Sequence, residues 1–229
     1  MIERFIHQVC VELPAPDETV AGARVRLADR FPRTALRRMT HLGLLIGSAL
    51  DGIPLGPEDA VVYASTFAET RALEDFLLSF PAPSPLLFQA SIHPGGVQQV
   101  LVGRQQPIAR LWPLAGRTRL VEQALLTALL EPAALVAMVG GEERGTWLLE
   151  HSMASARAFA FAAVLVREPA GAVGRVGLDP DGQADEVCPS LENFTMALAA
   201  RRRLLWHGAG GTWSLEWLHP AGPETPALP

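Results

Sequence analysis

The chain has 229 residues, of which 49% are apolar and only 19% are charged, and its formal net charge is −5. This composition supplies a sizeable hydrophobic core and excludes an intrinsically disordered chain. All 19 basic residues are arginines, with no run longer than residues 201–203, so binding to nucleic acid, which needs clustered cations, is not expected.

Strand-like and helix-like segments alternate in the first part of the chain. Residues 5–13 (FIHQVCVEL) and 59–65 (DAVVYAS) are predicted strands, because apolar and β-forming residues dominate them. Apolar residues at helical spacing predict helices over 33–50 and 70–80. The proline-rich segment 80–85 predicts an extended connector.

A strand-to-helix corner is predicted next. A turn at residues 94–96 leads into a short helix, and the apolar run 108–112 predicts a buried strand that Pro113 ends. Gly116 permits a tight turn, and residues 119–130 have helical spacing up to Glu-Pro.

The rest of the chain contains further strands and one long helix. Buried strands are predicted over 134–143 and 156–168, with 171–179 as the antiparallel neighbour of the second. After a polar linker up to residue 190, the sequence predicts a helix from Ser190 through Trp206, a glycine turn, a strand over 212–218, and a frayed tail over 221–229. This order predicts an α/β fold with a mixed or parallel sheet covered by helices.

Several kinds of site and location are not expected. The cysteines, Cys10 and Cys188, lie far apart without a CxxC pair, which predicts neither a disulfide nor a metal site. The glycine-rich segments lack the order of a dinucleotide loop, so no cofactor is predicted. The N-terminal segment has no signal-peptide pattern, and no apolar stretch reaches the about 20 residues of a membrane span. These features favour a cytoplasmic location.

The corner resembles the nucleophile elbow of many enzymes, in which N–H groups at a helix start hold an oxyanion. Its predicted residues here are Pro113, Leu114, Ala115 and Gly116, and none has a nucleophilic atom. The corner therefore has the shape of a catalytic site without its reactive group.

Three segments carry a resemblance to the β-ketoacyl-acyl-carrier-protein synthases. RRMTHLGLLIGSAL (37–50) resembles their early helix, and SPLLFQASIHPGGVQQVLVGRQQPIA (84–109) resembles the stretch before their catalytic strand. ALVAMVGGEE (134–143) resembles the strand and turn after the nucleophile helix. The order and spacing agree over residues 33–168.

This resemblance implies a thiolase-like half, a layered α-β-α fold with a mixed sheet. It implies a ketosynthase-like N-terminal-type domain over 1–180 and a helix–strand extension over 181–229 packed on the same domain. Full ketosynthases contain two related halves, and this chain corresponds to one, as in the chain length factors of aryl polyene and related pigment pathways. TWSLEWL (212–218) resembles the ends of those proteins.

The resemblance also implies roles for the corner residues. Active ketosynthases carry a cysteine there, because a thiolate must accept the acyl chain. Its position corresponds to Leu114 or Ala115, so Leu114, Ala115 and Gly116 form an inactive elbow and no catalytic residue is expected. The expected role is that of a subunit that stabilises a catalytic ketosynthase and shapes its acyl tunnel, in polyketide, polyene or fatty acid-type synthesis.

The resemblance implies that the strand before the elbow is an edge strand that joins a partner's sheet, which makes it the expected partner interface. In the thiolase-like fold it pairs with its counterpart across the dimer axis, which assigns Ile108, Arg110, Leu111 and Trp112 to a heterodimer with a ketosynthase, and Trp112 is the expected anchor. An acyl carrier protein would be met through that complex.

Five side chains leave alternatives open. His93 is interpreted as a turn histidine bonded to local backbone or as a contact to the acyl tunnel, and Glu142 and Glu143 as solvent-facing turn residues rather than a catalytic pair. A small acyl-transferring or hydrolytic enzyme using Ser65, His93 or Cys188 is the alternative function. A homodimeric binding protein is a further one.

Overall fold

The computed structural model describes residues 1–218 and contains one mixed sheet with helices on both faces. The strands are β1 (Ile2–Glu12), β2 (Ala60–Ser65), β3 (Arg110–Ala115), β4 (Leu135–Glu142), β5 (Phe159–Val166), β6 (Gly174–Asp179), β7 (Leu204–Gly208) and β8 (Gly211–Trp217). The helices are α1 (Val20–Arg26), α2 (Arg33–Leu36), α3 (His41–Ala49), α4 (Thr70–Leu78), α5 (Pro85–Ala90), α6 (Gly95–Gly103), α7 (Leu120–Leu130), α8 (Trp147–Glu150) and α9 (Leu191–Ala199). A 3₁₀ turn at Ala28–Arg30 follows α1.

The strand order is β3-β2-β4-β5-β1-β6-β8-β7, so β3 and β7 form the two edges of the sheet in the described part of the chain. The strand β2 runs parallel to both β3 and β4, and the other pairs are antiparallel. Because β2, β3 and β4 are parallel, their C-terminal ends meet at the same end of the sheet.

Two hydrophobic cores cover the two faces. Alternate residues of β2 point to opposite sides: Val62 packs in the core with α7 and α9, and Val61 packs in the core with α3 and α6. Strands buried on both faces need continuous apolar sequences, which explains AVVYAS and FAFAAVLV. The predicted layered α-β-α fold with a mixed sheet is confirmed.

One prediction in the first part of the chain was wrong. The single helix over 33–50 is divided into α2 and α3, because Thr40 begins a new helix by accepting a hydrogen bond from the backbone N–H of Gly43 at 3.0 Å. The stretch after the proline-rich connector is the helix α5, begun by Ser84, whose hydroxyl accepts from Leu87 N–H.

Two further predictions near the end of the chain were wrong. The strand β6 is not a neighbour of β5, because β1 lies between them. The helix that Ser190 caps ends at Ala199, a left-handed residue at Arg201 (φ 47°) turns the chain, and the residues up to Gly208 form β7. Leu204 and Trp206 point into the core from this strand, so their apolar spacing came from a strand and not from a helix.

The strand predicted over 108–112 is β3, and it lies at the edge of the sheet, as the resemblance implied. The predictions that it is buried and that Pro113 ends it were wrong. Pro113 lies inside it, opposite Tyr63 of β2, and an edge tolerates this because one side of the strand has no partner that needs the missing N–H. Trp112 is 42% exposed, since the free edge leaves one side open.

The strands β7 and β8 of the C-terminal extension continue the same sheet. The boundary at residue 180 stays a prediction. The tail predicted over 221–229 lies outside the described residues.

Candidate functional site at the strand-to-helix bend

The candidate site lies where the three parallel strands end. Ser65 is the last residue of β2 and lies opposite Ala115, the last residue of β3. Glu142 is the last residue of β4, on the other side of β2. The carboxyl end of parallel strands is where open α/β sheets commonly hold their sites.

The bend between β3 and α7 starts at Gly116, three residues later than the predicted start at Pro113. Leu114 and Ala115 belong to β3, and the chain turns from Gly116 (φ 146°) to Arg119 (φ 54°). Glycine suits the first of these positions because a Cβ is strained at such a φ. None of the bend residues is a cysteine, which leaves the bend without a thiol.

The bend contains one hydroxyl group, that of Thr118, which lies outside the corner predicted from the sequence. Thr118 is exposed between Arg117 and Arg119. Within residues 1–218 no hydrogen bond joins its side chain to a histidine or carboxylate that would activate it. The bend therefore lacks the nucleophile–base pair of a covalent catalyst.

The first turn of α7 carries a buried carboxylate. Glu122 accepts hydrogen bonds from the indole of Trp206 at 3.3 Å and from the backbone N–H of Ala209 at 3.2 Å. A negative side chain is favourable at a helix N-terminus, where the helix dipole is positive. It also repels an oxyanion at the same place, which opposes acyl-transfer chemistry.

The thiol of Cys188 lies against the same carboxylate. Burial, with the neighbouring charge of Glu122 adding to it, raises the pKa of Cys188 to about 11. The reactive thiolate is therefore scarce at neutral pH.

Glu142 and Glu143 do not face solvent, and that interpretation was wrong. Glu142 accepts from the backbone N–H groups of Thr66 and Phe67 and from the hydroxyl of Ser65 at 3.2 Å. Burial raises its pKa to about 7 against these hydrogen bonds. Glu142 therefore fixes the loop after β2, and Ser65 is completely buried under it.

Glu143 ties two helices to the end of β4. It accepts from the backbone N–H groups of Leu42 in α3 and Ala72 in α4, both at 3.2 Å. Burial also raises the pKa of Glu143 to about 7. These bonds join residues 71 and 101 positions apart, which a sequence pattern does not reveal.

His93 bonds to a side chain and not to local backbone. Its Nδ1 lies 3.1 Å from a carboxylate oxygen of Glu69, and its ring stacks on Tyr63 with centroids 4.9 Å apart. Glu69 also accepts from Gly96 N–H and from the hydroxyl of Tyr63. Glu69 lies 24 residues from His93 in the chain, so the sequence around the turn does not reveal this contact. Contact of His93 with an acyl chain stays a prediction.

An open groove of about 440 Å³ lies beside the bend. The guanidinium of Arg117 lies over the ring of Phe67, 4.9 Å from its centroid. The groove is mostly apolar and is lined by Phe67, Thr70, Leu73, Arg117, Leu148, His151, Ser152 and Met153. No local sequence pattern indicates this groove, because its lining comes from the loop after β2, α4, the bend and the region of α8.

The predicted interface residues lie together along the sheet edge. Arg110, Leu111 and Trp112 belong to β3, and Ile108 packs on the core beside α6 just before the strand. Arg110 and Trp112 are held by Glu131, a partner that the sequence did not indicate.

Residues 1–218 contain no group of three or more histidine, cysteine, aspartate or glutamate side chains placed to hold a metal ion. None of the helices in this part of the chain has both the length and the hydrophobicity to cross a membrane.

No protein-family model and no curated protein sequence matches this chain. Solved structures do match. A chain from the complex of the ketosynthase ApeO with its chain length factor ApeC from Xenorhabdus doucetiae superposes with a TM-score of 0.67 at 17% identity, covering 94% of this chain and 100% of that one.

Two further structures have the same fold. The ishigamide ketosynthase/chain length factor gives a TM-score of 0.56 at 13% identity, over 77% of this chain and 67% of that one. A β-ketoacyl synthase from Burkholderia phymatum STM815 gives 0.53 at 14% identity, over 88% and 69%. These likenesses confirm the predicted thiolase-like α/β fold.

Proposed function

We propose that this chain is a non-catalytic subunit of the chain length factor type, which pairs with a catalytic ketosynthase. The observation that carries the proposal is the bend after β3. It keeps the strand-to-helix shape, holds no thiol, and has the buried carboxylate of Glu122 on the first turn of the helix behind it. An acyl thioester cannot form there without a thiolate.

The edge position of β3 supports the partnership. An apolar edge strand is a liability for a chain alone, and a strand from a partner covers it by sheet extension. Leu111 and Trp112 lie on this edge, and tryptophan is often the anchor of such interfaces. The solved complex from Xenorhabdus doucetiae, whose fold this chain shares, pairs a ketosynthase with a chain length factor.

The groove beside the bend supports a role in shaping the acyl channel. Its apolar side chains suit an acyl chain, and Arg117 at its rim suits a polar group near the thioester. His93 is the further residue that we assign to the channel wall. The pathway is of the polyketide, aryl polyene or fatty acid type, the complex brings the acyl carrier protein, and we retain the cytoplasm as the location.

The alternative enzyme has little support from the described contacts. Ser65 bonds to Glu142, His93 bonds to Glu69, and Cys188 lies against Glu122. No hydrogen bond within residues 1–218 joins two of the three candidates. A nucleophile and its base need such a bond or a reach of about 3 Å.

Co-expression with the ketosynthase encoded nearest to this gene tests the proposal. We expect a tagged chain to co-purify with the ketosynthase as a 1:1 complex by light scattering. Trp112→Ala should weaken the complex at least tenfold, as truncation of a central aromatic anchor does. Leu218→Ala is the matched control, because its 43% exposure is close to the 42% of Trp112, while Leu218 directly follows β8, toward the opposite side of the sheet.

Three outcomes contradict the proposal. A stable monomer that ignores the ketosynthase removes the partner role, and a homodimer of the same stability with or without the ketosynthase supports the binding-protein alternative. Turnover of acyl-carrier-protein thioesters by the chain alone, abolished by substitution of Ser65, His93 or Cys188, restores the enzyme alternative.

A further inference from the structure

A buried carboxylate lies directly under the exposed edge strand. Glu131 follows α7, and its side chain is almost inaccessible to water. Arg110 donates to it through Nε at 2.9 Å and through a terminal nitrogen at 2.7 Å, and Trp112 donates through its indole N–H at 2.6 Å. Both donors keep an outer face in solvent, so the carboxylate fixes their inner ends while their outer faces stay free.

Hydrogen bonds from three other residues hold Glu131 itself in position. The backbone N–H of Ala133 donates to the same carboxylate at 3.1 Å. The main-chain carbonyl of Glu131 accepts from the guanidinium groups of the buried Arg4, in β1, and of Arg167, just after β5. Strands in the middle of the sheet therefore hold Glu131 in place.

The charge of Glu131 persists near neutral pH. Burial acts to raise the pKa of this carboxyl, but the hydrogen bonds from Arg110, Trp112 and Ala133 outweigh it and hold the pKa below its ordinary value. Charge-assisted hydrogen bonds of this kind are stronger and more directional than neutral ones.

A free arginine and a free tryptophan on a strand edge sample several rotamers, and an interface that uses them must order them on binding. Leu126 and Leu130 of α7, the helix that packs behind β3, are exposed on the same part of the molecule. Aromatic and arginine side chains among apolar neighbours are typical of the energetic centre of an interface.

We propose that Glu131 is a positioning residue that holds Arg110 and Trp112 in their docking conformation before the partner strand arrives. The inference rests on the proposed function, because it takes the β3 edge as the docking strand. It assigns Glu131 a role beyond fold stability, namely lowering the ordering cost of association.

The test compares binding of the co-purified ketosynthase to the full chain and to variants by surface plasmon resonance. Glu131→Gln removes the charge and turns an amide donor toward the donors of β3, so we expect about a tenfold loss of affinity. Trp112→Phe keeps an aromatic ring but loses the indole N–H and part of the ring area, so we expect roughly a threefold loss. Glu216→Gln is the matched control, because Glu216 is bound by Arg175 at 2.6 Å and Arg203 at 3.0 Å on β8, away from β3.

A second measurement on the free chain separates positioning from stability. In ¹⁵N-tryptophan spectra, the indole signal that disappears in Trp112→Phe belongs to Trp112. We expect it to be sharp and protected from solvent exchange in the wild type, and shifted and broadened in Glu131→Gln. The other indole signals should stay in place, which shows that the variant is folded.

Any of three results overturns the inference. The first is an affinity within twofold of wild type for both Glu131→Gln and Trp112→Phe, and the second is an unchanged Trp112 signal in Glu131→Gln. An equal loss of affinity in Glu216→Gln also overturns it, since the effect would then be general. If the wild-type chain does not bind the ketosynthase, the proposed function fails, and the free-chain spectrum still decides whether Glu131 orders Trp112.

Discussion

Raising the pH from 5 to 8 is expected to lower the free energy of unfolding of the chain, because Glu142 and Glu143 lose their protons in this range. Burial raises the pKa of each carboxyl from 4.5 to about 7. Between these two pH values the folded state therefore holds protons that the unfolded chain has already lost, and the free energy of unfolding falls as the pH rises.

The size of this effect follows from the two pKa values. One pKa unit corresponds to about 1.4 kcal/mol, so each glutamate should remove on the order of 2 to 3 kcal/mol of stability between pH 5 and pH 8. Buried His41 has the opposite effect on stability. Burial lowers its pKa, so the folded chain favours the neutral imidazole and the free energy of unfolding rises with pH through this group. A comparison of variants, in which the contribution of His41 cancels, is therefore needed.

Urea unfolding followed by tryptophan fluorescence measures the effect at both pH values. Glu142→Gln and Glu143→Gln are neutral throughout, so the loss of stability on going from pH 5 to pH 8 should shrink by on the order of 2 to 3 kcal/mol in each. Both glutamines lose an ionic acceptor, which lowers the absolute stability but not this difference.

Glu74→Gln is the matched control. Burial acts to raise the pKa of Glu74, but hydrogen bonds from Thr146 and Leu148 hold it below its ordinary value. The stability that ionised Glu74 gives to the fold is therefore complete above pH 4.5 and is lost only at lower pH. This variant should keep the wild-type change between pH 5 and pH 8. The reasoning is refuted if folded Glu142→Gln and Glu143→Gln keep that change as well.

Two further predictions concern single side chains. Thr40→Ala and Ser190→Ala each remove the hydroxyl that caps a helix, so each should lower the free energy of unfolding by about 1 kcal/mol, while Val25→Ala on the exposed side of α1 should change it little. Iodoacetamide at pH 8 should modify Cys188, in a Cys10→Ser background, at least tenfold more slowly in the native chain than in urea, because its pKa is about 11; equal rates would show that the thiol is accessible and ionised.

Local sequence patterns correctly predicted the strands and helices whose residues lie in one uniform environment along their length. The continuous apolar sequences of β4 and β5 and the helix α7, which stops before Pro132, were placed within a few residues. The hydroxyl of Ser190 marked the start of α9 correctly, because a helix cap depends on residues three positions apart.

The same patterns failed where two periodicities overlap. The apolar run 204–206 is too short for its spacing to separate a helix from a strand, and only the antiparallel pairing of β7 with β8 selects the strand. The strand order could not be predicted either. The strand β1 lies antiparallel between β5 and β6, and nothing in the sequence of β5 or β6 indicates this.

The sequence by itself determined that the bend after β3 has no thiol and that its strand is apolar, because both are properties of consecutive residues. Only the tertiary structure decided that Glu69, Glu131 and Glu142 are buried acceptors, and it confirmed the edge position of β3, which the family resemblance implied but the residues of the strand did not. Whether a carboxylate faces water or backbone N–H groups depends on segments many residues away, which the order of the strands brings together.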